Sequence, residues 1–405
     1  MIDYFKEYFD FKALFLCVAL VTLGLLSVYS ATYDVGAGAT FQKQVMWAGI
    51  GFLAMLVTAL LPLKSLQRLA FPIYAGSLVL LIVVLLVGKT TSGSKSWFGV
   101  GGLGGQPSEI AKVAAVLALA AFLSRTTTSL SNAKHLLIAF GIVLVPSVLI
   151  LAQPDLGTTV VFSAMLLPVL YWAGAKNFVL VAILSPIIVA AGALFGTLAF
   201  LFSIGIAGVL LYITRENRFV AAVAFGLTLA VGLSVQAVYE RMPPYQQKRI
   251  DTFLNPNLAP RGAGYNVLQS KVAIGSGGIF GKGYLQGTQT QLNFIPEQWT
   301  DFIFCVPGEE FGFVGASVVL IFFTALLLHG VNVAGMSKNR FASTSAVGIT
   351  GILATHMLIN IGMSMGILPV IGIPLPFLSY GGSALIANMM MVGLLMNFYS
   401  NRKEH

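Results

Sequence analysis

Charge is scarce: Asp, Glu, Lys and Arg make up 9% of the 405 residues, where a soluble domain carries about 25%. That deficit excludes water as the main solvent. Cysteine is nearly absent, and the two present, Cys17 and Cys305, lie in or beside apolar runs, which excludes a disulfide framework and a zinc site. The four histidines, at 135, 329, 356 and 405, show no metal-ligand spacing. No internal repeat stands out. The stretch 275–283 (GSGGIFGKG) lacks a Ser or Thr after its lysine and lacks the strand-to-helix context of a nucleotide fold, which excludes a phosphate loop. It reads as a flexible turn beside a lipid headgroup.

What the chain has in excess is apolar surface: 57% hydrophobic residues and a mean hydropathy of +0.88. The 43 glycines suit packed transmembrane helices, where small residues let backbones approach. Runs long enough to span, about 17–25 residues each, occur at 11–31, 44–62, 71–88, 108–124, 136–152, 157–175, 177–195, 197–213, 218–238, 303–330, 341–364 and 376–400. The expectation is an all-α, polytopic transmembrane bundle of about twelve spans forming one membrane domain, 1–405. The first run is too long for a signal-peptide core, usually about 7–15 residues, and reads as a retained helix.

Lysine and arginine settle the orientation. With both termini cytoplasmic, Lys6, Lys12, Lys64, Arg68, Arg125, Lys134, Lys176, Arg215, Arg218, Lys338, Arg340, Arg402 and Lys403 lie inside, and the short outer loops hold Lys43, Lys89 and Lys95. This bias requires 177–213 to be two helices meeting near Gly196, because one merged helix would invert every later loop. It also leaves 239–302 as a long outer segment. Eight aromatic residues between Tyr239 and Trp299 argue against disorder, and Tyr265, Leu268 and Val272 are spaced as on an amphipathic helix at the interface.

Charges at membrane depth cost at least about 2.5–3.5 kcal/mol and so mark candidate sites. Glu109 and Lys112 share one face of the fourth span, either as a mutually neutralised pair or with Lys112 turned to an outward cavity as an anion contact. Asp155, in an outer turn, is either functional or a helix cap. Glu309 and Glu310, adjacent at the start of the tenth span, read as structural. Glu297 and Asp301 lie four residues apart where the outer loop meets the membrane, as a general base or, for Asp301, a helix cap. Arg241, Lys248, Arg249, Arg261, Lys271 and Lys282 make the loop cationic, as an anionic substrate requires. The Pro- and Gly-rich stretch 369–383 must interrupt the helices at membrane depth, where irregular backbone survives only against protein or a watery cavity.

Six stretches, in order, are similar to the SEDS family (shape, elongation, division and sporulation proteins): 106–112 (QPSEIAK), 153–158 (QPDLGT), 262–270 (GAGYNVLQS), 274–278 (IGSGG), 296–304 (PEQWTDFIF) and 372–383 (GIPLPFLSYGGS). Stretches 287–289, 294–297 and 372–376 resemble its elongation members more than its division members. The resemblance implies an inner-membrane peptidoglycan glycosyltransferase that polymerises lipid II at the extracytoplasmic face during rod-shaped growth. Its essential outer-loop acid matches Asp301, which would deprotonate the acceptor hydroxyl. It further implies a substrate-contact set of Glu109, Lys112, Asp155 and Arg249, then Gln269, Ser270 and Lys271, and finally Glu297, Thr300, Ser379, Tyr380 and Ser383. Lys112 and Arg249 would meet the undecaprenyl pyrophosphate leaving group, with Mg or Mn as an optional divalent cation.

Implied partners are a class B penicillin-binding protein, other elongation-complex proteins and membrane lipids, but no nucleic acid. The family's usual ten spans make 177–213 a two-helix addition. Ser96 stands where arginine is frequent, and Trp299 where histidine is common. The rival readings are a flippase for the lipid-linked precursor and a non-catalytic scaffold for the transpeptidase.

Overall fold

A chain in hydrocarbon must close its backbone hydrogen bonds within each segment, which selects helices. The computed structural model describes residues 9–404 apart from 35, 92–93, 101–102, 256–262, 293 and 297. The described residues form 16 helices and one three-stranded antiparallel sheet. The first half comprises α1 (Phe11–Tyr33), α2 (Gly38–Leu60), α3 (Leu63–Val87), the hairpin strands β1 (Lys89–Thr91), β2 (Ser94–Val100) and β3 (Leu103–Gly105), α4 (Pro107–Leu123), α5 (Ala133–Leu151), α6 (Leu156–Trp172), α7 (Asn177–Leu194), α8 (Thr197–Thr214) and α9 (Arg218–Arg241). The outer segment carries α10 (Pro244–Leu254), α11 (Ala263–Ser276), α12 (Thr288–Gln291) and α13 (Cys305–Glu310), followed by α14 (Gly312–Met336), α15 (Arg340–Ser364) and α16 (Gly382–Ser400).

Each expected span coincides with a helix. Among the described residues ten helices are long and apolar enough to cross a membrane, and α4 and α6, at 17 residues each, are shorter. Two boundaries are corrected. The run 303–330 breaks at Phe311, because Gly312 turns left-handed at φ 62°, and 376–381 stays irregular until α16 begins. Helices α7 and α8 are separate, with Gly196 between them at φ 108°.

The core forms around α4, α15 and α16. In α4, Ala111, Ala114, Ala115, Ala118, Ala120 and Ala121 keep the helix narrow, so α3 and α15 pack on it and all but Ile110 is buried. Helix α16 packs on α2, and α15 on α6 and α14. The most apolar stretches of α15 and α16 are 67% and 72% buried, against 17%, 17% and 11% in α7, α8 and α9. The latter three therefore form a peripheral unit with a largely lipid-facing surface.

The glycine-rich stretch 275–283 is a packed clasp rather than the flexible turn expected. Lys282 and Gly283 donate backbone hydrogen bonds to the Glu309 and Glu310 carbonyls (3.1 and 3.0 Å), and Phe313 and Val314 donate to Gly278 and Ile279 (2.8 and 3.1 Å). Glu309 completes the clasp. Its buried carboxylate accepts from Lys282 Nζ (2.7 Å), Thr290 Oγ1 (2.7 Å) and the Gln289 and Thr290 amides (2.9 and 3.0 Å). Glu310 accepts from Ser30 and Gln291. Both glutamates are thus structural, as expected from their adjacency.

A side chain at position 281 has no room: Gly281 sits at φ +83°, and a Cβ there would lie 2.1 Å from the Glu310 carbonyl oxygen. Gly281→Ala is expected to lower stability by about 2 kcal/mol or more, since left-handed backbone alone costs an L-residue about 1–2 kcal/mol. Thermal unfolding in detergent measures the loss.

Candidate active site

Backbone that leaves helical form inside the bundle must find partners among side chains. The irregular segment between α15 and α16 finds them on every side. Asn360 Nδ2 donates to the Ile373 carbonyl (2.8 Å) and Gln44 Nε2 to the Ser379 carbonyl (3.1 Å), while Gln44 Oε1 accepts from the Gly381 amide (3.3 Å). Ser379 Oγ accepts from the Leu375 amide (2.8 Å) and donates to the Thr300 carbonyl (2.6 Å). The Tyr380 amide reaches the Trp299 carbonyl at 2.7 Å. The end of the outer loop is therefore sewn to this segment residue by residue.

Asp301 sits at that seam. Asn360 Nδ2 donates to its carbonyl (2.9 Å), so one amide side chain holds both Asp301 and Ile373. The carboxylate lies against Gly372, at φ +72°, where a Cβ would come within 3.3 Å of Oδ2. Asp301 is half-buried, close to protein yet open on one side.

A cleft of about 60 Å³ borders this point, lined by Arg249, Thr252 and Phe253 of α10, Val267, Leu268 and Lys271 of α11, and 366 and 368–370 of the irregular segment. One residue, Ile371, separates Val370 from Gly372, at most about 7 Å of chain. Arg249 and Lys271 are the charged residues in the cleft lining. A larger cavity of about 460 Å³ lies on the other side of α10, between α7, α8 and α9. Asp251 is its charged member among the described residues, which unsuits it to a phosphate.

The expected site residues thus divide. Asp301, Thr300, Ser379 and Tyr380 meet at the seam, and Arg249 and Lys271 meet at the cleft. Gln269 is half-buried on α11. Glu297 lies outside the described residues. Four of the expected residues have partners within the protein instead. Lys112 is 0% exposed, its ammonium 2.9 Å from Glu109 and 2.9 Å from His356 Nε2, so it cannot touch a pyrophosphate, and Glu109 is buried with it. Ser270 is fully buried and donates to the Ser364 carbonyl (2.9 Å), fastening α11 to α15.

Asp155 caps α6, accepting from the Thr158 amide (3.0 Å) and hydroxyl (2.9 Å), and takes a further bond from Gln106 Nε2 (2.8 Å). The capping alternative is the one its geometry fits. Ser383 Oγ accepts from the Gln106 amide (3.4 Å), on the side of the segment toward Asp155.

Three contributors escaped the sequence reading: Gln44, His356 and Asn360. The last two were legible as a stripe, because His356, Asn360 and Ser364 recur every four residues along one helix. Gln44, a single buried amide in α2, gave no such signal.

No group of three or more His, Cys, Asp or Glu side chains converges among the described residues. A resident divalent cation prefers several oxygen ligands. The carbonyls nearest Asp301 already accept from Asn360 and Ser379, so the donor set among the described residues does not fit one.

Comparison with known proteins gives the family. The FtsW/RodA/SpoVE cell cycle protein model matches residues 11–203 and 187–404. The chain belongs to the FtsW/RodA/SpoVE family. This FtsW/RodA/SpoVE member is 35% identical to peptidoglycan glycosyltransferase RodA of Treponema pallidum over 96% of this chain and 97% of that one. It is also 35% identical to peptidoglycan glycosyltransferase MrdB of Escherichia coli K12, over 98% and 95%. Its fold matches a chain from a peptidoglycan synthase complex that coordinates polymerization and crosslinking, with a TM-score of 0.74, 27% identity and coverage of 98% and 99%. Family membership and ten apolar helices make it a multi-pass membrane protein.

Ser379→Ala removes partners from the Leu375 amide and the Thr300 carbonyl. An unsatisfied buried group costs about 1–3 kcal/mol, and a loss of stability in that range is expected from thermal unfolding.

Proposed function

We propose that this chain is a peptidoglycan glycosyltransferase that polymerises lipid II at the outer face of the bacterial inner membrane, with Asp301 as general base. The observation that carries this reading is the meeting of a half-buried outer-loop carboxylate with a fixed backbone wall at Gly372, beside a cleft lined by Arg249 and Lys271. The lysine and arginine bias supports an outer position for residues 239–302.

In this mechanism Asp301 takes the proton of the acceptor sugar's 4-hydroxyl as that oxygen attacks the donor's anomeric carbon. The bond from that carbon to the pyrophosphate oxygen breaks on the opposite face. Configuration inverts, and the lipid pyrophosphate leaves with the electron pair. Charge grows on the leaving group, where cations placed in advance are most effective; Arg249 and Lys271, which line the cleft, would serve there, whereas Lys112 is buried. The likeness to a chain of a synthase complex supports a class B penicillin-binding protein as the crosslinking partner, within the complex that elongates the cell. The two-helix addition at 177–213 would then lie outside the catalytic bundle, consistent with the low burial of α7 and α8. A flippase reading loses its main support, because the Glu109–Lys112 pair is sealed between helices and lines no path.

The test is glycan-strand formation from lipid II by the purified protein with its cognate transpeptidase. Asp301→Ala, at equal folded yield, is expected to reduce strand formation by at least about 100-fold, the lower range for a general base. Equal product from both proteins would remove Asp301 as the base. No product from either would favour transport or scaffolding.

A further inference from the structure

A buried cation in a membrane helix needs a reason, and Lys112 has two neighbours that supply one. Its ammonium lies 2.9 Å from the Glu109 carboxylate and 2.9 Å from His356 Nε2. An ammonium can only donate, so Nε2 accepts and the proton of the neutral imidazole sits on Nδ1. Nδ1 is 3.2 Å from the Pro374 carbonyl, which accepts it. His356 is 3% exposed, and both ring nitrogens are used. One helical turn later, Asn360 holds the Ile373 and Asp301 carbonyls (2.8 and 2.9 Å). Gly372, next in the chain, abuts the Asp301 carboxylate.

We propose that His356 is a positioning residue for Asp301. It couples the Glu109–Lys112 ion pair of α4 to the backbone wall 372–374, and so fixes the distance between that wall and the carboxylate. The imidazole is suited to this joint because it accepts on one edge and donates on the other at a fixed span. An apolar side chain of similar size would fill the space yet leave the Lys112 ammonium short of an acceptor and the Pro374 carbonyl short of a donor. The wall would then be tied on one side only, by Asn360. A displacement of about 1 Å at a reacting centre can cost about 100-fold in rate.

This inference rests on Asp301 acting as the base, so the experiment reads the wall and the reaction separately. Full-length wild type, His356→Leu and His356→Gln are compared in detergent by hydrogen–deuterium exchange across 370–378 and by steady-state strand formation from lipid II with the cognate transpeptidase. His356→Leu is expected to speed exchange there and to lower kcat by about 10–100-fold with KM for lipid II nearly unchanged, the pattern of a contact that matters in the transition state. Glutamine offers one acceptor and one donor and is expected to restore both readouts. If the leucine variant does not fold, His356→Asn, too short to reach Lys112 while keeping a donor for Pro374, takes its place with the same expectation.

Unchanged exchange, or faster exchange with unchanged kcat, overturns the proposal. So does a glutamine variant as impaired as leucine, which would mean that His356 acts by shape alone. If wild type makes no strands, the polymerase reading fails, while the exchange comparison still decides whether His356 holds the wall.

Discussion

Irregular backbone cannot exist in the interior of a membrane bundle unless each exposed carbonyl and amide finds a partner, and the rest of this structure depends on how residues 365–381 meet that condition. The bonds come from helices far apart in sequence: Gln44 of α2, His356 and Asn360 of α15, and Trp299 and Thr300 at the end of the outer loop. A segment satisfied this way is held from several directions at once. Satisfying the backbone and building a rigid wall for Asp301 are therefore the same act. Loss of one side-chain partner weakens both.

The same economy governs the buried charges. Glu309 is surrounded by donors that belong to the outer loop, so its carboxylate closes the clasp that brings α11 and α12 onto the start of α14. Asp155 ties the start of α6 to Gln106, just before α4. Glu109 and Lys112 neutralise one another inside the bundle. Each is stabilised by specific partners rather than by solvent, as membrane depth demands. Arg249 and Lys271 instead face one cleft from two loop helices.

Much of this was legible in the sequence. Apolar runs of spanning length marked every long helix, and the distribution of Lys and Arg separated α7 from α8. The motifs around 106, 153, 262, 296 and 372 marked the elements that converge. The sequence could not reveal which members of a motif turn inward: Lys112 and Ser270 have the chemistry of ligands but lie on helix faces that other helices cover. The clasp was misread because glycines signal either freedom or close approach, and only the carbonyl of Glu310 beside Gly281 distinguishes them. Glu297, which the motif singled out beside Asp301, falls outside the described residues. The stripe of His356, Asn360 and Ser364 was present in the spacing, and its meaning required the segment it faces.

The way Asp301 is held bears on what it can do. A base must gain and lose a proton during each turnover, so bonds that fix its position should not depend on its charge. Asp155 and Glu309 fail that condition, because the bonds that fasten their surroundings end on the carboxylate oxygens themselves, and protonation would loosen the α6 cap or the clasp. The bond from Asn360 ends on the Asp301 carbonyl, which is indifferent to the state of the carboxylate. Gly372 then lets the wall approach without a side chain in the way. This part of the positioning acts through the main chain. The Asn360 restraint on Asp301 therefore survives a change of protonation state, whereas a proton on Asp155 or Glu309 would loosen the α6 cap or the clasp.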